Sequence, residues 1–182
     1  GVGEASLRSS IRETLQGRTT WLLVNLLTAI LASVVIGVFD ATIEQLVALA
    51  VLMPIVASMG GNAGTQTVTV AVRAIAFGQL DAVSTRNFVI RESLVALLNG
   101  LLFAVLAAAV SFVWFGDPEI ATVMAVAMFA NLLIAGLSGT LVPIGRLRAG
   151  VDPAVASSVF VTTITDVVGF FVFLGLAALY LM

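Results

Sequence analysis

Residues 161–182 read VTTITDVVGFFVFLGLAALYLM. A helix needs roughly 20 apolar residues to cross the hydrocarbon core of a bilayer, and this run supplies them. Its only charge is Asp166. An ionised side chain near mid-bilayer costs about 2.5–3.5 kcal/mol on insertion scales, so such residues concentrate at ion and proton pathways. The competing role is packing, with the aspartate hydrogen-bonded to a neighbouring Ser or Thr. Thr162 and Thr163 lie four and three residues before Asp166, on roughly the same helix face. Ser158 lies two turns before it, and Gly169 three residues after. Either the hydroxyls fold back onto carbonyls of their own helix, or carboxylate, hydroxyls and glycine form a hydrophilic stripe that admits water. Thr165 points away from that stripe and reads as structural.

The rest of the chain sets the class. Of 182 residues, 60% are hydrophobic and only 10% charged, with a mean hydropathy of +1.17. Soluble domains carry about 25% charged residues. There is no cysteine, hence no disulfide and no thiolate metal site. There is no histidine, which removes the commonest transition-metal ligand and general base. Zinc or copper chemistry and most hydrolase mechanisms are thereby disfavoured.

Five membrane-length stretches follow from the charge pattern: 19–39, 45–72, 93–116, 120–145 and 153–182, the last with Asp166 alone. All eight cations are arginine, and they fall in alternate segments. Arg8, Arg12 and Arg18 precede span one. Arg73, Arg86 and Arg91 separate spans two and three, and Arg146 and Arg148 separate four and five. The intervening loops hold Asp40 with Glu44, and Asp117 with Glu119. The positive-inside rule then puts the N-terminus in the cytoplasm and the C-terminus outside, in a plasma or inner membrane. Glu92, beside Arg91, reads as an interfacial charge on the cytoplasmic side.

Before span one, Leu7, Ile11 and Leu15 recur every four residues beside Arg8 and Arg12. Residues 1–18 therefore read as a short helix on the cytoplasmic membrane surface, or equally as a linker to a soluble domain. The chain starts at Gly1 without an initiator methionine, as a fragment would. Residues 19–182 form one five-helix membrane domain.

Span two reads QLVALAVLMPIVASMGGNAGTQTVTVAV over 45–72. Pro54 removes a backbone donor, and Gly60-Gly61 weakens the helix a turn and a half later. An interruption is expected there. Irregular backbone at membrane depth survives only when buried in protein or lining a water-filled cavity, and freed carbonyls suit hard cations. Asn62, Thr65, Gln66, Thr67 and Thr69 follow in the same run. Close packing is the alternative for the glycines, since Gly60 and Gly64 have the spacing of a helix-dimer motif. It accounts less well for Asn62 and Gln66, which favours a pore lining. Asn25, Asn99 and Asn131 each lie within a span, and an interhelical hydrogen bond worth about 0.6 kcal/mol is the expected role of each. Asp152-Pro153 reads as the start of span five, with Asp152 as its cap.

One carboxylate is too little for a dehydrated divalent ion, but Mg2+ usually keeps several waters and meets one or two carboxylates. A two-fold dimer would bring two Asp166 side chains to one axis, an arrangement the sequence permits.

PIVASMGGNAGTQTVTVAVRAIAFG (54–78) resembles the second-helix signature of the MgtE-type magnesium channel family. VDPAVASSVFVTTITDVVGFF (151–171) resembles its fifth helix, and FANLL (129–133) its fourth. The resemblance covers the chain after Arg18. It implies an all-α membrane protein with five transmembrane helices per chain and a homodimeric pore lined by helices two and five. It implies that Asp166 recognises a largely hydrated Mg2+, and that Asn62 and backbone near Thr162 line the path. Gly60, Gly61, Ser158, Thr163 and Gly169 complete the expected lining. Two departures stand out. The family's N-terminal soluble domain and its pair of cytosolic CBS domains are not in this chain. The family also carries proline where Val159 stands, so Ser158-Val159 is expected to leave a straighter helix.

The function expected is a divalent-cation channel or facilitator for Mg2+, with Mn2+, Co2+ or Ca2+ as other ions for the same site. The alternative is a proton- or sodium-coupled secondary transporter with Asp166 as the relay. An intramembrane enzyme would need more carboxylates or a basic phosphate pocket, and the spans contain neither, so the chain is read as a non-enzyme. Its expected partners are lipid, the ion and a second copy, with cytosolic regulatory domains outside this chain and no nucleic acid.

Overall fold

The computed structural model describes residues 10–80 and 82–181, and every regular element among them is an α-helix. In chain order these are α1 (Ile11–Val38), α2 (Asp40–Gln45), α3 (Val47–Ala76), α4 (Ala82–Phe115), α5 (Pro118–Arg148) and α6 (Ser157–Tyr180). All but the short α2 are long and apolar enough to cross a membrane. At 1.5 Å per residue, α4 alone reaches about 50 Å, so its ends extend beyond the hydrocarbon layer.

Local chemistry sets the helix ends. Ser10 and Glu13 form a reciprocal capping box: the Glu13 amide donates to Ser10 Oγ at 3.3 Å, and the Ser10 amide to Glu13 Oε2 at 2.9 Å. Asp117 Oδ1 accepts from the amides of Glu119 and Ile120, with Pro118 opening α5. At the other end of the helices, Gly78 and Gly150 take left-handed backbone just after α3 and α5, where a side chain would be strained. Arg73, Arg146 and Arg148 lie in the last turns of those helices, where a positive charge is favoured.

The boundaries differ from the sequence reading in three places. Arg18 is not an end of anything: residues 11–18 continue as helix into the first span, while Leu7 and Arg8 lie outside the described residues. The interruption expected at Gly60-Gly61 is absent, since α3 is helical from Val47 to Ala76 with Pro54 inside it. The glycines are held in helix by close neighbours, as shown below. Asp152 does not cap α6. Its Oδ1 accepts from the Ala154 amide at 2.8 Å within a turn, and the helix starts at Ser157 after Ala156, which takes φ +60°.

Contacts at the glycines give the packing order. Going along α3, Gly60 meets Asn131 of α5, Gly64 lies by Ala135, and Thr67 lies by Gly139. Numbers rise together, so α3 and α5 run parallel. Gly100 of α4 meets Phe129, and Gly136 meets Ala96 of α4, so α4 runs antiparallel to α5. Gly64 meets Val161 of α6, whereas Gly60 and Gly169 share Asn131, so α6 is also antiparallel to α3. The alternation gathers Arg18, Arg73, Arg86, Arg91, Arg146 and Arg148 at one end of the bundle and Asp40, Glu44, Asp117 and Glu119 at the other. We call these the arginine end and the acidic end.

The hub is α5, which packs against α3, α4 and α6. In contrast, α1 rests on α6, and α3 scarcely touches α4. The main apolar core lies toward the acidic end. Leu49, Leu52, Val56, Met124, Met128, Phe173 and Leu174 are buried there, and the Phe39 ring meets Phe171 edge-on at 5.9 Å. Outward-facing leucines of α1 and α4, such as Leu22, Leu27, Leu98 and Leu102, form an apolar exterior suited to lipid.

Candidate ion site on the open face of α3 and α6

The polar residues of span two divide by helix face. Positions 56, 60, 64 and 68 are buried against α5 and α6. Ser58, Asn62, Thr65 and Thr69 are exposed on the opposite side, and Gln66, also exposed, turns toward α4. Asp166, Ser158, Thr162 and Thr163 of α6 are half-buried, while Thr165 is fully buried with its hydroxyl donating to Thr162 O at 2.9 Å. A Cβ at Gly61 would lie 3.6 Å from Thr162 Cγ2, so that glycine marks the line where the two helices meet.

Gly60 and Gly169, both expected on the path, turn toward α5 and away from the open polar face. Each is buried, and a Cβ on either would run into the Asn131 side chain. These two glycines are small so that an asparagine from α5 can lie between α3 and α6. Asn131 Nδ2 donates to Val56 O at 2.8 Å, while its buried Oδ1 has no partner among the described residues. Asn131 thus makes the interhelical bond expected of it. The side chains of Asn25 and Asn99 make none among the described residues. Its role between two glycines had one sequence signal, the Gly60/Gly64 spacing read as close packing. Nothing in sequence connected that spacing to residue 131.

The hydroxyl protons near Asp166 are committed within α6. Thr162 Oγ1 donates to the carbonyls of Ser158 and Val159 at 3.0 and 3.1 Å, and Thr163 Oγ1 to that of Val159 at 2.7 Å. Back-bonding and a hydrophilic stripe are therefore one arrangement, because a hydroxyl whose proton is used still offers lone pairs. Asn62 behaves alike: Nδ2 donates to Ser58 Oγ at 3.3 Å and leaves Oδ1 to accept. Asp166 adds a carboxylate, an acceptor when ionised. The open face is thus rich in acceptors around one carboxylate. Water bound to a cation turns its hydrogens outward, so a hydrated cation fits such a surface.

No group of three or more acidic residues, histidines or cysteines is gathered to hold a metal ion among the described residues. Asp166 is the carboxylate on this face. A groove of about 530 Å3 lies toward the arginine end, one turn of α6 from Asp166, lined by Arg18, Trp21 and Asn25 of α1, Thr65 of α3, and Ser158 and Thr162 of α6. At that end Arg146 stacks over the Phe160 ring at 5.5 Å and donates to Asp152 O at 3.5 Å, tying the α5–α6 turn down.

The family model described as MgtE, divalent cation transporter, matches residues 53–176, which hold α3 to α6 almost entirely. The chain is 34% identical over 164 residues to a magnesium transporter MgtE of Thermus thermophilus and 32% identical to one of Bacillus subtilis. A magnesium transporter MgtE of Enterococcus faecalis is 28% identical over the same length. Each alignment takes in 90% of this chain and 36% of the relative, so the chain spans about a third of the length of the proteins it matches. With a family match across both helices that bear the open polar face, the chain belongs to the MgtE family of divalent cation transporters.

Proposed function

We propose that this chain is the conducting membrane domain of a Mg2+ channel or facilitator, and that Asp166 recognises the ion with most of its water shell in place. The carrying observation is the single carboxylate beside threonines whose hydroxyl protons are committed, on a face that the chain leaves open. Lipid cannot satisfy Asn62, Thr65, Thr162 and Asp166, so water and protein must cover them. A second copy related by a two-fold axis does both. It would line one path with α3 and α6 of each chain and set two carboxylates against one divalent ion. Asp166, Asn62, Ser158, Thr162, Thr163 and Gly61 then border the path, whereas Gly60 and Gly169 hold its walls together through Asn131. The N-terminus is cytoplasmic in this reading, with the arginine end inside and the acidic end outside. Relatives with printed names of magnesium transporters support Mg2+ as the cargo, and Mn2+, Co2+ and Ca2+ are the competitors to test.

Isothermal titration of the purified protein with each of these cations, at fixed pH and ionic strength, tests the reading. A saturable Mg2+ heat that disappears in Asp166→Asn is expected. The same heat in that variant removes Asp166 from the site. Flux that depends on a proton or sodium gradient, with no saturating Mg2+ site, would instead favour a coupled carrier.

A further inference from the structure

The opposite flank of α3 carries a second polar cluster. Because α3 and α4 scarcely touch, a cleft remains between them over α5, with a cavity of about 190 Å3 toward the arginine end. Glu92 of α4 lines it and is 7% exposed. The sequence reading placed Glu92 at the membrane interface beside Arg91, yet Arg91 is exposed and the two form no ion pair among the described residues. The physical reason is helical geometry: successive residues lie about 100° apart, so Arg91 turns outward while Glu92 turns toward α5. Glu92 makes no side-chain hydrogen bond among the described residues either, nor do Gln66 and Asn99, which line the same cavity. Thr67, the fourth polar lining residue, donates its hydroxyl proton to Ala63 O at 3.3 Å and keeps its lone pairs free. Glu92 is the one charged group in the lining.

A carboxylate on a residue only 7% exposed is costly without a partner, and the exposed side chains of Gln66 and Asn99 offer amide oxygens beside it. The cavity has room for an ion and several waters, each water occupying about 30 Å3. One carboxylate with neutral amide and hydroxyl oxygens balances a single positive charge. A divalent ion would leave a net charge in a low-dielectric cleft whose lining holds one carboxylate. Hard oxygen donors of this kind suit cations that bind through oxygen.

We infer that the α3–α4 cleft is a site for one alkali-metal cation, Na+ or K+, held by Glu92 with oxygens from Gln66, Thr67 and Asn99. The bound ion joins two helices that otherwise meet only through α5. It lies on the other flank of α3 from Asp166 and is separate from the transported ion.

The test compares thermal unfolding of the purified protein in NaCl, KCl and N-methylglucamine chloride at one ionic strength and without divalent ions. Na+ or K+ should raise the midpoint saturably, by on the order of 3–6 °C at ten times the dissociation constant, and comparison of the two salts names the ion. The rise should persist in Asp166→Ala and vanish in Glu92→Gln. Should Glu92→Gln fail to fold, Asn99→Ala is expected to shift half-saturation several-fold. Radiosodium or rubidium binding by equilibrium dialysis should give about one ion per chain. Equal midpoints in all three salts, a rise that survives Glu92→Gln and Asn99→Ala, or micromolar Mg2+ displacing the alkali ion with the same midpoint gain would each overturn the assignment.

Discussion

The two ends of the bundle are built from the same helices and solve different problems. Toward the acidic end, α3, α5 and α6 interlock through Leu49, Leu52, Val56, Met124, Met128, Phe173 and Leu174, all at most 1% exposed. Toward the arginine end the helices meet through small residues, as at Gly64 of α3 with Val161 of α6 and Gly136 of α5 with Ala96 of α4. Large side chains fill the core at one end. Small contacts at the other end hold the backbones close on one side and free the remaining faces for Asn62, Thr65, Gln66, Glu92 and Asp166. Even α6 changes character along its length. Asp166 is half-exposed, whereas Phe170 and Phe173, one and two turns further, lie in the core. The contrast teaches that side-chain size sets where this bundle is dry and where it can be wet.

That contrast can be broken most sharply at Asp166. Asp166→Ala should abolish Mg2+ uptake into proteoliposomes while the protein remains folded, since a half-exposed carboxylate with no hydrogen-bonded partner among the described residues supports no packing. Wild-type uptake rates would sink the site. Gly60→Leu and Gly61→Leu come next and should fail differently. Leucine at 60 collides with Asn131 and should prevent folding, seen as loss of a sharp elution peak in detergent. At 61 it meets only Thr162 and should leave a folded protein that does not transport. Identical behaviour of the two would mean that the faces of α3 are wrongly assigned.

At the acidic end, Phe173→Ala should lower stability by about 3–5 kcal/mol, as for large aromatic truncations in packed cores, and leave Mg2+ affinity unchanged in the surviving folded protein. A change in affinity with unchanged stability would reverse the roles of the two ends. The smallest effect is expected for Asn62→Ala. An amide oxygen that meets an ion through water contributes about 1 kcal/mol, so flux should fall roughly five-fold. A complete loss would make Asn62 a direct ligand.

Much of this was legible residue by residue. The arginines and acids sort by segment, and the structure gathers them at opposite ends. Thr165 was legible as structural from its angle to Asp166, and it is buried. The packing role of Gly60 and Gly64 was one of two readings, and the structure adopts it in an unbroken helix. That Gly60 and Gly169 turn toward Asn131 was not legible, because a glycine has no side chain to announce its direction. Glu92 escaped for a related reason: a charge near an arginine at a span boundary looks solvated until the helix beside it is known.

By itself the sequence determined the class, the number of spans, their alternation and the singular position of Asp166, since apolar run length and charge placement act locally along the chain. It also determined which residues share a helix face, because 3.6 residues per turn is a property of the backbone. Only the tertiary structure decided what each face meets. Helical period places Asn62 opposite Gly60 and Gly64, but the arrival of α5 at Asn131 makes one side dry and leaves the other open. The same arrival holds α3 and α4 apart and turns Glu92 from a boundary charge into the floor of a cleft. Contacts between residues 70 positions apart depend on side-chain volumes summed over three helices, and no local pattern in the chain encodes that sum.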